Sequence, residues 1–359
     1  MYFLETKNEG KCSLNHSAIG RKFSRTRLAV AMLSTLLLAA VPQAHGQSES
    51  VLHSFTNSPD GATPSFVAPV LDTQGTLYGT TNYGGAHGYG TVFEVTSSGT
   101  EKILHSFNVN GKDGFYPEAG LVRDPKGNLY GTTAEGGPDT IYGTVFKLTP
   151  TKKGWTETIL HSFGATGDGS QPTAVPALDK AGNLYCTTFY GGASNFGTVF
   201  EVTSSGTEKV FWSFGNGTDG ANPVGGVTLD LAGNLYGTTV NGGAFGDGTV
   251  FKLTPSGTEM ILHSFANNDI DGFNPYAGLT VYKGNLYGTT ASGGGTGSSS
   301  GIVFEMTPSG SESILHVFGG NPDGAFPYGG VVFDKLGNLD GTTFDGGVNG
   351  FGTVFKMTP

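Results

Sequence analysis

The chain is poor in cysteine, with only Cys12 and Cys186 among 359 residues. Charged residues are also scarce, at 13 %, too few for a disordered polyelectrolyte or a coiled coil. No apolar run is long enough to cross a bilayer comfortably: the longest, residues 28–41, has fourteen residues, where a helical span needs about 20. Helical periodicity is absent beyond that segment. The sequence has no H-E-x-x-H, no zinc-type Cys/His spacing and no phosphate-binding loop opening a helix, so the common metalloprotease, zinc and nucleotide motifs are missing. It does contain 61 glycines, 25 phenylalanines and 14 tyrosines. The glycines keep no three-residue period, which excludes collagen. Much glycine, many aromatics and few charges predict short strands joined by tight turns.

The first 46 residues have a different composition. Arg21, Lys22, Arg25 and Arg27 precede the apolar run, and Pro42 and Ala44-His45-Gly46 follow it. That order is expected of a secretory signal peptide at residues 1–46. A retained membrane anchor is the weaker reading of the same segment. Removing its six basic and two acidic residues from the chain's 19 and 29 leaves 13 and 27, a net charge of −14. Nucleic acid is therefore not an expected partner, because phosphate binding needs clustered Lys and Arg. Cys186 would then be the sole cysteine of an exported chain, which must be held by its core rather than by a disulfide.

Internal repetition sets the architecture. Leu-Tyr-Gly-Thr-Thr begins at Leu77, Leu129, Leu235 and Leu286, with altered copies at Leu184 (Cys186 for glycine) and Leu339 (Asp340 for tyrosine). Gly-Thr-Val-Phe ends at Phe93, Phe146, Phe200, Phe251 and Phe355, with a variant ending at Phe304. Leu-His-Ser-Phe ends at Phe55, Phe107, Phe163 and Phe265, with variants at Phe214 and Phe318. Each unit reads as four short strands in about 52 residues, the size of a propeller blade. The second unit predicts strands near 119–124, 128–133, 144–149 and 158–163. The chain after the signal opens with a lone fourth strand at 51–55 and ends on a third strand lacking its fourth. The expected fold is therefore all-β, a six-bladed β-propeller over residues 47–359, closed by pairing of 51–55 with 353–358.

The succession Asp-Gly-x-x-Pro, Gly-Leu-x-x-Asp-x-x-Gly-Asn-Leu-Tyr-Gly-Thr-Thr and Gly-Thr-Val-Phe-x-Leu-Thr-Pro resembles the bacterial GloVer tandem repeat over nearly all of residues 50–359. The resemblance implies an exported protein, in a family that carries assorted anchors, and implies no particular activity. This chain shows no C-terminal anchor sequence; secretion, the periplasm and the cell surface are the locations expected for it. The blade pattern is also similar, more loosely, to NHL-type six-bladed propellers, which supports the fold and says little about function.

Most repeated polar residues read as structural. His53, His105, His161, His263 and His316 sit in the fourth-strand motif, and Trp212 fills the sixth place; tryptophan fits a packing slot rather than a ligand set. Asp72, Asp124, Asp179, Asp230 and Asp334 precede x-x-Gly turns they can cap. The six Asp-Gly aspartates (Asp60, Asp113, Asp168, Asp219, Asp271 and Asp323) read as turn caps, with calcium as the alternative and Asp269 and Asp271 as its candidates, since only that loop offers two carboxylates. No other cofactor is expected. Gly297-Ser298-Ser299-Ser300-Gly301 matches G-x-S-x-G without the helix that a nucleophile elbow requires.

Function in a symmetric scaffold belongs where the copies differ. Just after the repeated prolines stand Ser65, Glu118, Thr173, Val224, Tyr276 and Tyr328, expected at the mouth of the central channel. The Gly-Gly loops add Asn82, Tyr83, Glu135, Phe189, Tyr190, Asn241 and Asp345 to the same rim. Glu118, Tyr276, Tyr328, Tyr83 and Tyr190 are the candidate ligand-binding residues, because exposed aromatics among carboxylates and amides suit sugar rings. The expected function is non-catalytic binding of a glycan or protein by a monomer. The rival is a channel-mouth lyase or lactonase-like hydrolase, for which a metal held by Glu, Asp and Asn would be needed.

Overall fold

The computed structural model describes residues 50–358, apart from 65–67, 139–140, 216, 269 and 296–299. The expected signal peptide and Asp269 lie outside the described residues. Among the described residues no helix is long and apolar enough to cross a membrane.

The second repeat shows how the pattern becomes a blade. Its strands are Val122–Arg123, Leu129–Thr133, Thr144–Thr151 and Gly154–Ser162, hydrogen-bonded antiparallel in that order. Asp124 accepts the amides of Lys126 and Asn128, both at 2.9 Å, so the first turn is capped as the sequence predicts. Asp72, Asp179, Asp230 and Asp334 repeat the cap. The third and fourth strands run longer than expected, because 151–156 continues the hairpin instead of forming a loop. Trp155 in that extension packs against the Tyr78 ring of the first blade, 6.2 Å away. It therefore belongs to a seam between blades. Four-stranded sheets recur from Ala177–Leu178, Thr228–Leu229 and Thr280–Tyr282 onward; the sheet begun by Val70–Leu71 has Ala62–Pro64 as a fifth strand, and a sixth sheet holds Val332–Phe333, Leu339–Thr343 and Thr353–Met357.

Glycine in Leu-Tyr-Gly-Thr-Thr is there for space. A Cβ at Gly79, Gly131, Gly237, Gly288 or Gly341 would stand 2.4–2.6 Å from the Cζ of the phenylalanine on the next strand. In the third blade Cys186 occupies this place, fully buried, its Sγ bonded to the carbonyl of Ala174; burial pushes its thiol pKa up to about 12. A second neighbour of this position also differs between blades. Leu121 and Leu279 reach to within 2.8–2.9 Å of the same point in the second and fifth blades, whereas the third blade has Pro176 in the equivalent position.

Two devices join consecutive blades. The phenylalanine ending each fourth strand packs edge-on against the third-strand phenylalanine of the next blade: Phe107 on Phe146, Phe163 on Phe200, Phe214 on Phe251, Phe265 on Phe304 and Phe318 on Phe355, at 5.0–5.5 Å between ring centres. Nearer the axis, a second-strand threonine donates to a carbonyl of the following blade. Thr80 reaches Ala119, Thr132 reaches Ala174, Thr187 reaches Gly225, Thr238 reaches Ala277 and Thr289 reaches Gly329, at 2.7–3.1 Å.

Closure differs from the expectation. Residues 51–55 form no strand and no ladder with Thr353–Met357, and the sixth sheet ends on an edge. Val354 is 84 % exposed, while Val92, Val145, Val199, Val250 and Val303, its counterparts, are fully buried. The segment instead sits against the first blade, through Phe55 on Phe93 at 4.9 Å and His53 on Asp60 at 3.1 Å. These partners are near in sequence, whereas a ladder to the last strand must close a loop of about 300 residues at a larger entropic cost.

The Cys186–Pro176 pairing can be transplanted. Gly131→Cys in the second blade should lower stability by about 1–3 kcal/mol through overpacking, and adding Leu121→Pro should recover part of that loss in denaturant unfolding. Simple additivity of the two changes would contradict the compensation.

Candidate functional site

The channel mouth is built from one short motif repeated around the axis. In Asp-Gly-x-x-Pro-y, the residue before proline adopts a left-handed backbone in every copy: Thr63, Tyr116, Gln171, Asn222, Asn274 and Phe326, at φ between 54° and 57°. Such conformations are unfavourable for side-chain-bearing residues unless the surroundings enforce them. Here two backbone hydrogen bonds do so. Tyr116, for instance, donates to the carbonyl of Tyr89 and accepts from the amide of Ala134, at 3.1 and 3.0 Å, and Gln171, Asn222, Asn274 and Phe326 are held alike. After the proline comes the variable residue y, and the next carbonyl is the one anchored by the preceding blade's threonine. The variable side chains are thus clamped from both sides and delivered to the axis.

They line a cavity of about 1000 Å³. Glu118, Thr173, Val224, Tyr276 and Tyr328 all face it, together with Asn82 of the first Gly-Gly loop. The lining is lopsided. Tyr276 and Tyr328 meet edge-on at 5.2 Å; Phe344, which is not among the lining residues, packs on Tyr328 at 5.6 Å. Glu118 provides the polar part; partial burial, then the neighbouring Glu135 carboxylate, hold its pKa above the usual glutamate value.

The structure thus gathers three of the five candidate residues around one space. Tyr83 and Tyr190 do not line it. Tyr83 leans on Tyr116 at 5.1 Å, and Tyr190 meets Phe189 at 4.6 Å; both rings remain partly exposed on the rim. Sequence reasoning did not single out Phe344 and Tyr116, which pack against the candidate rings Tyr328 and Tyr83. The available signal was the same one that found Tyr276: each varies among otherwise matching copies, Phe344 against Asn82, Ala134, Phe189, Val240 and Ala291.

The Asp-Gly aspartates act as caps between blades. Asp323 accepts the amide of Gly319 at 3.1 Å and faces His316 Nε2 at 2.9 Å. Asp271, one of the two calcium candidates, accepts the amides of Ala266 and Gly272 and faces His263. Three seams also bring a glutamate of the next blade to the histidine and aspartate: His105–Asp113–Glu157, His161–Asp168–Glu208 and His263–Asp271–Glu312, each with ligating atoms within 4.8 Å of one another. Glu208 and Glu312 open their fourth strands and Glu157 lies within its longer one; none was singled out by the sequence pattern.

If the aspartates serve as caps, Asp323→Ala should cost about 1–2 kcal/mol in denaturant unfolding, equally in calcium and in chelator. A loss seen only in calcium would contradict capping.

Several solved propellers resemble this fold. The extracellular domain of BT4673 from B. thetaiotaomicron superposes with a TM-score of 0.53 at 12 % identity, covering 86 % of this chain and 34 % of its own; the chain spans about a third of that structure. PorZ, a surface component of the type-IX secretion system of Porphyromonas gingivalis, gives 0.43 at 17 % identity over 78 % of this chain and 37 % of its own. A protein of unknown function from Dyadobacter fermentans gives 0.48 at 12 % identity, covering 83 % and 94 %. At such identities the likeness concerns the fold alone. No curated protein matches the sequence. The Gloeobacter/Verrucomicrobia repeat matches residues 42–174 and 139–355, and on that match, spanning nearly the whole propeller, the chain belongs to the Gloeobacter/Verrucomicrobia repeat family.

Proposed function

We propose that this protein is an exported binding propeller that takes a glycan at its channel mouth. The observation that carries the reading is the lopsided cavity, with an aromatic pair of Tyr276 and Tyr328, backed by Phe344 against Tyr328, and a polar part at Glu118 and Asn82. A sugar ring presents apolar C–H faces and a hydroxyl rim. It can stack on the tyrosines while its hydroxyls donate to the Glu118 carboxylate and to Asn82. The clamped backbone supports the same reading, because a preorganised wall loses little entropy when a ligand binds. Export is supported by the basic-then-apolar order of residues 21–41.

A lactonase-like reaction at this mouth would need a metal held by several carboxylates and an amide. Among the described lining residues Glu118 is the only carboxylate and Asn82 the only amide, a poor donor set for that chemistry. A protein segment presenting an aromatic or apolar tip would find the same patch, and the probes below separate it from a sugar.

The test is a glycan-array screen of the mature protein, followed by calorimetry with the best oligosaccharide. Tyr276→Ala with Tyr328→Ala should weaken binding more than tenfold, since buried aromatic anchors often carry about 2 kcal/mol each, and should leave the melting temperature almost unchanged. Retained affinity in the double variant, or an array without any hit, would contradict the proposal.

A further inference from the structure

The seams between blades hold a repeated electrostatic anomaly. The fourth-strand glutamates Glu101, Glu157, Glu208, Glu259 and Glu312 each have an Oε1 that is shut off from solvent and has no hydrogen-bond partner. Each points toward the Asp-Gly carboxylate of the seam before it. Facing Glu101 are His53 and Asp60; facing Glu157 are His105, its Nε2 3.4 Å away, and Asp113. Facing Glu208 are His161 and Asp168, and facing Glu312 are His263, at 3.6 Å, and Asp271. In the second blade Asp113 Oδ1 is orphaned too. Two carboxylates placed against each other in a water-poor seam cannot both stay ionised without a proton or a cation between them.

The remaining seam decides between these. There Trp212 replaces histidine and donates its indole N–H to Asp219 Oδ2 at 3.2 Å. Indole is a donor only: it cannot ligate a metal and carries no charge. Yet Glu259 has the usual orphaned Oε1 there, and Asp219 is the carboxylate that faces it. What all five seams share is the Glu–Asp pair and an N–H donor to the aspartate, not a set of three metal ligands.

We propose that each seam is latched by a proton shared between the glutamate of one blade and the aspartate of the loop before it, so that the propeller tightens in mild acid and loosens as the medium turns alkaline. The titration directions agree with this geometry. Burial, then the Asp219 carboxylate, push Glu259 up to about 9 from its ordinary 4.5. Burial also raises Glu157 to about 7, the His105 charge opposing and Asp113 adding to the rise. For His105 and His263, burial works against the charged form but the facing carboxylates overcome it, and their pKa values rise. All these groups bind protons more tightly folded than unfolded, so their stabilisation is complete below about pH 4.5 and is lost as pH rises toward about 9.

The experiment compares the wild type with Glu259→Gln and Glu157→Gln in melting scans between about pH 5 and about pH 9. Glutamine keeps an N–H donor for the aspartate and cannot ionise. The wild-type melting temperature should fall by on the order of 5 °C or more across this range. The fall should be clearly smaller in Glu259→Gln, the seam without a histidine. Identical pH profiles in the wild type and both variants would overturn the proposal. Infrared spectroscopy of the wild type at about pH 8 gives a readout that needs no variant to fold: a protonated-carboxyl band should persist, and its absence would overturn the shared proton. A melting temperature raised by zinc after chelation, with the rise lost in Glu157→Gln, would show a metal seam instead and would likewise overturn it.

Discussion

The contact on which the rest of this structure depends is the edge-on packing of one phenylalanine per blade against the next blade's third strand. Phe107, Phe163, Phe214, Phe265 and Phe318 are almost wholly buried. Burying such a side chain contributes roughly 1.5–3 kcal/mol. The wedge dictates its surroundings: the third-strand phenylalanine it meets brings the tip of its ring against the second strand, which therefore needs glycine there. The single exception, Cys186, coincides with Pro176, at a position held by Leu121 and Leu279 in the second and fifth blades and by Pro69, Val227 and Val331 in the others. Phe55 makes the same wedge onto the first blade, although its segment pairs with no strand, which shows that side-chain wedging and strand pairing are separable in this fold.

From that seam the mouth follows. Because blades are fixed by phenylalanine outside and by threonine-to-carbonyl bonds inside, the short Pro-y segments are held as rigid spokes. The left-handed residue before each proline is the local strain the scaffold has to carry, and in the second to sixth copies two backbone hydrogen bonds carry it. Variation is then confined to side chains on an invariant backbone. On such a backbone Glu118, Tyr276 or Tyr328 can change without renegotiating the core.

Much of this was legible in the sequence because the fold repeats. Six in-phase copies gave strand order, turn caps and the positions facing the axis, and Glu118, Tyr276 and Tyr328 do meet at one cavity. Tyr83 and Tyr190 were placed on the same rim, but the short pairing of the Gly-Gly loops with the Asp-Gly loops turns them away from the cavity, a tertiary detail no period reveals. Glu157 and its counterparts looked like ordinary strand-opening residues, since their partners lie on the preceding blade. The ending of the chain on Thr353–Met357 was read correctly as a third strand. Its pairing with residues 51–55 was not, because complementary strand patterns state compatibility and not contact.

The claim that the lopsided mouth is the recognition surface is tested most directly by hydrogen exchange on the protein saturated with an oligosaccharide selected on the array. Protection should concentrate at residues 116–118, 274–277 and 326–329, leaving the Asp-x-x-Gly-Asn turns of the opposite rim unchanged. Protection centred on those turns, for example at 229–232, with the mouth unaffected, would contradict the account.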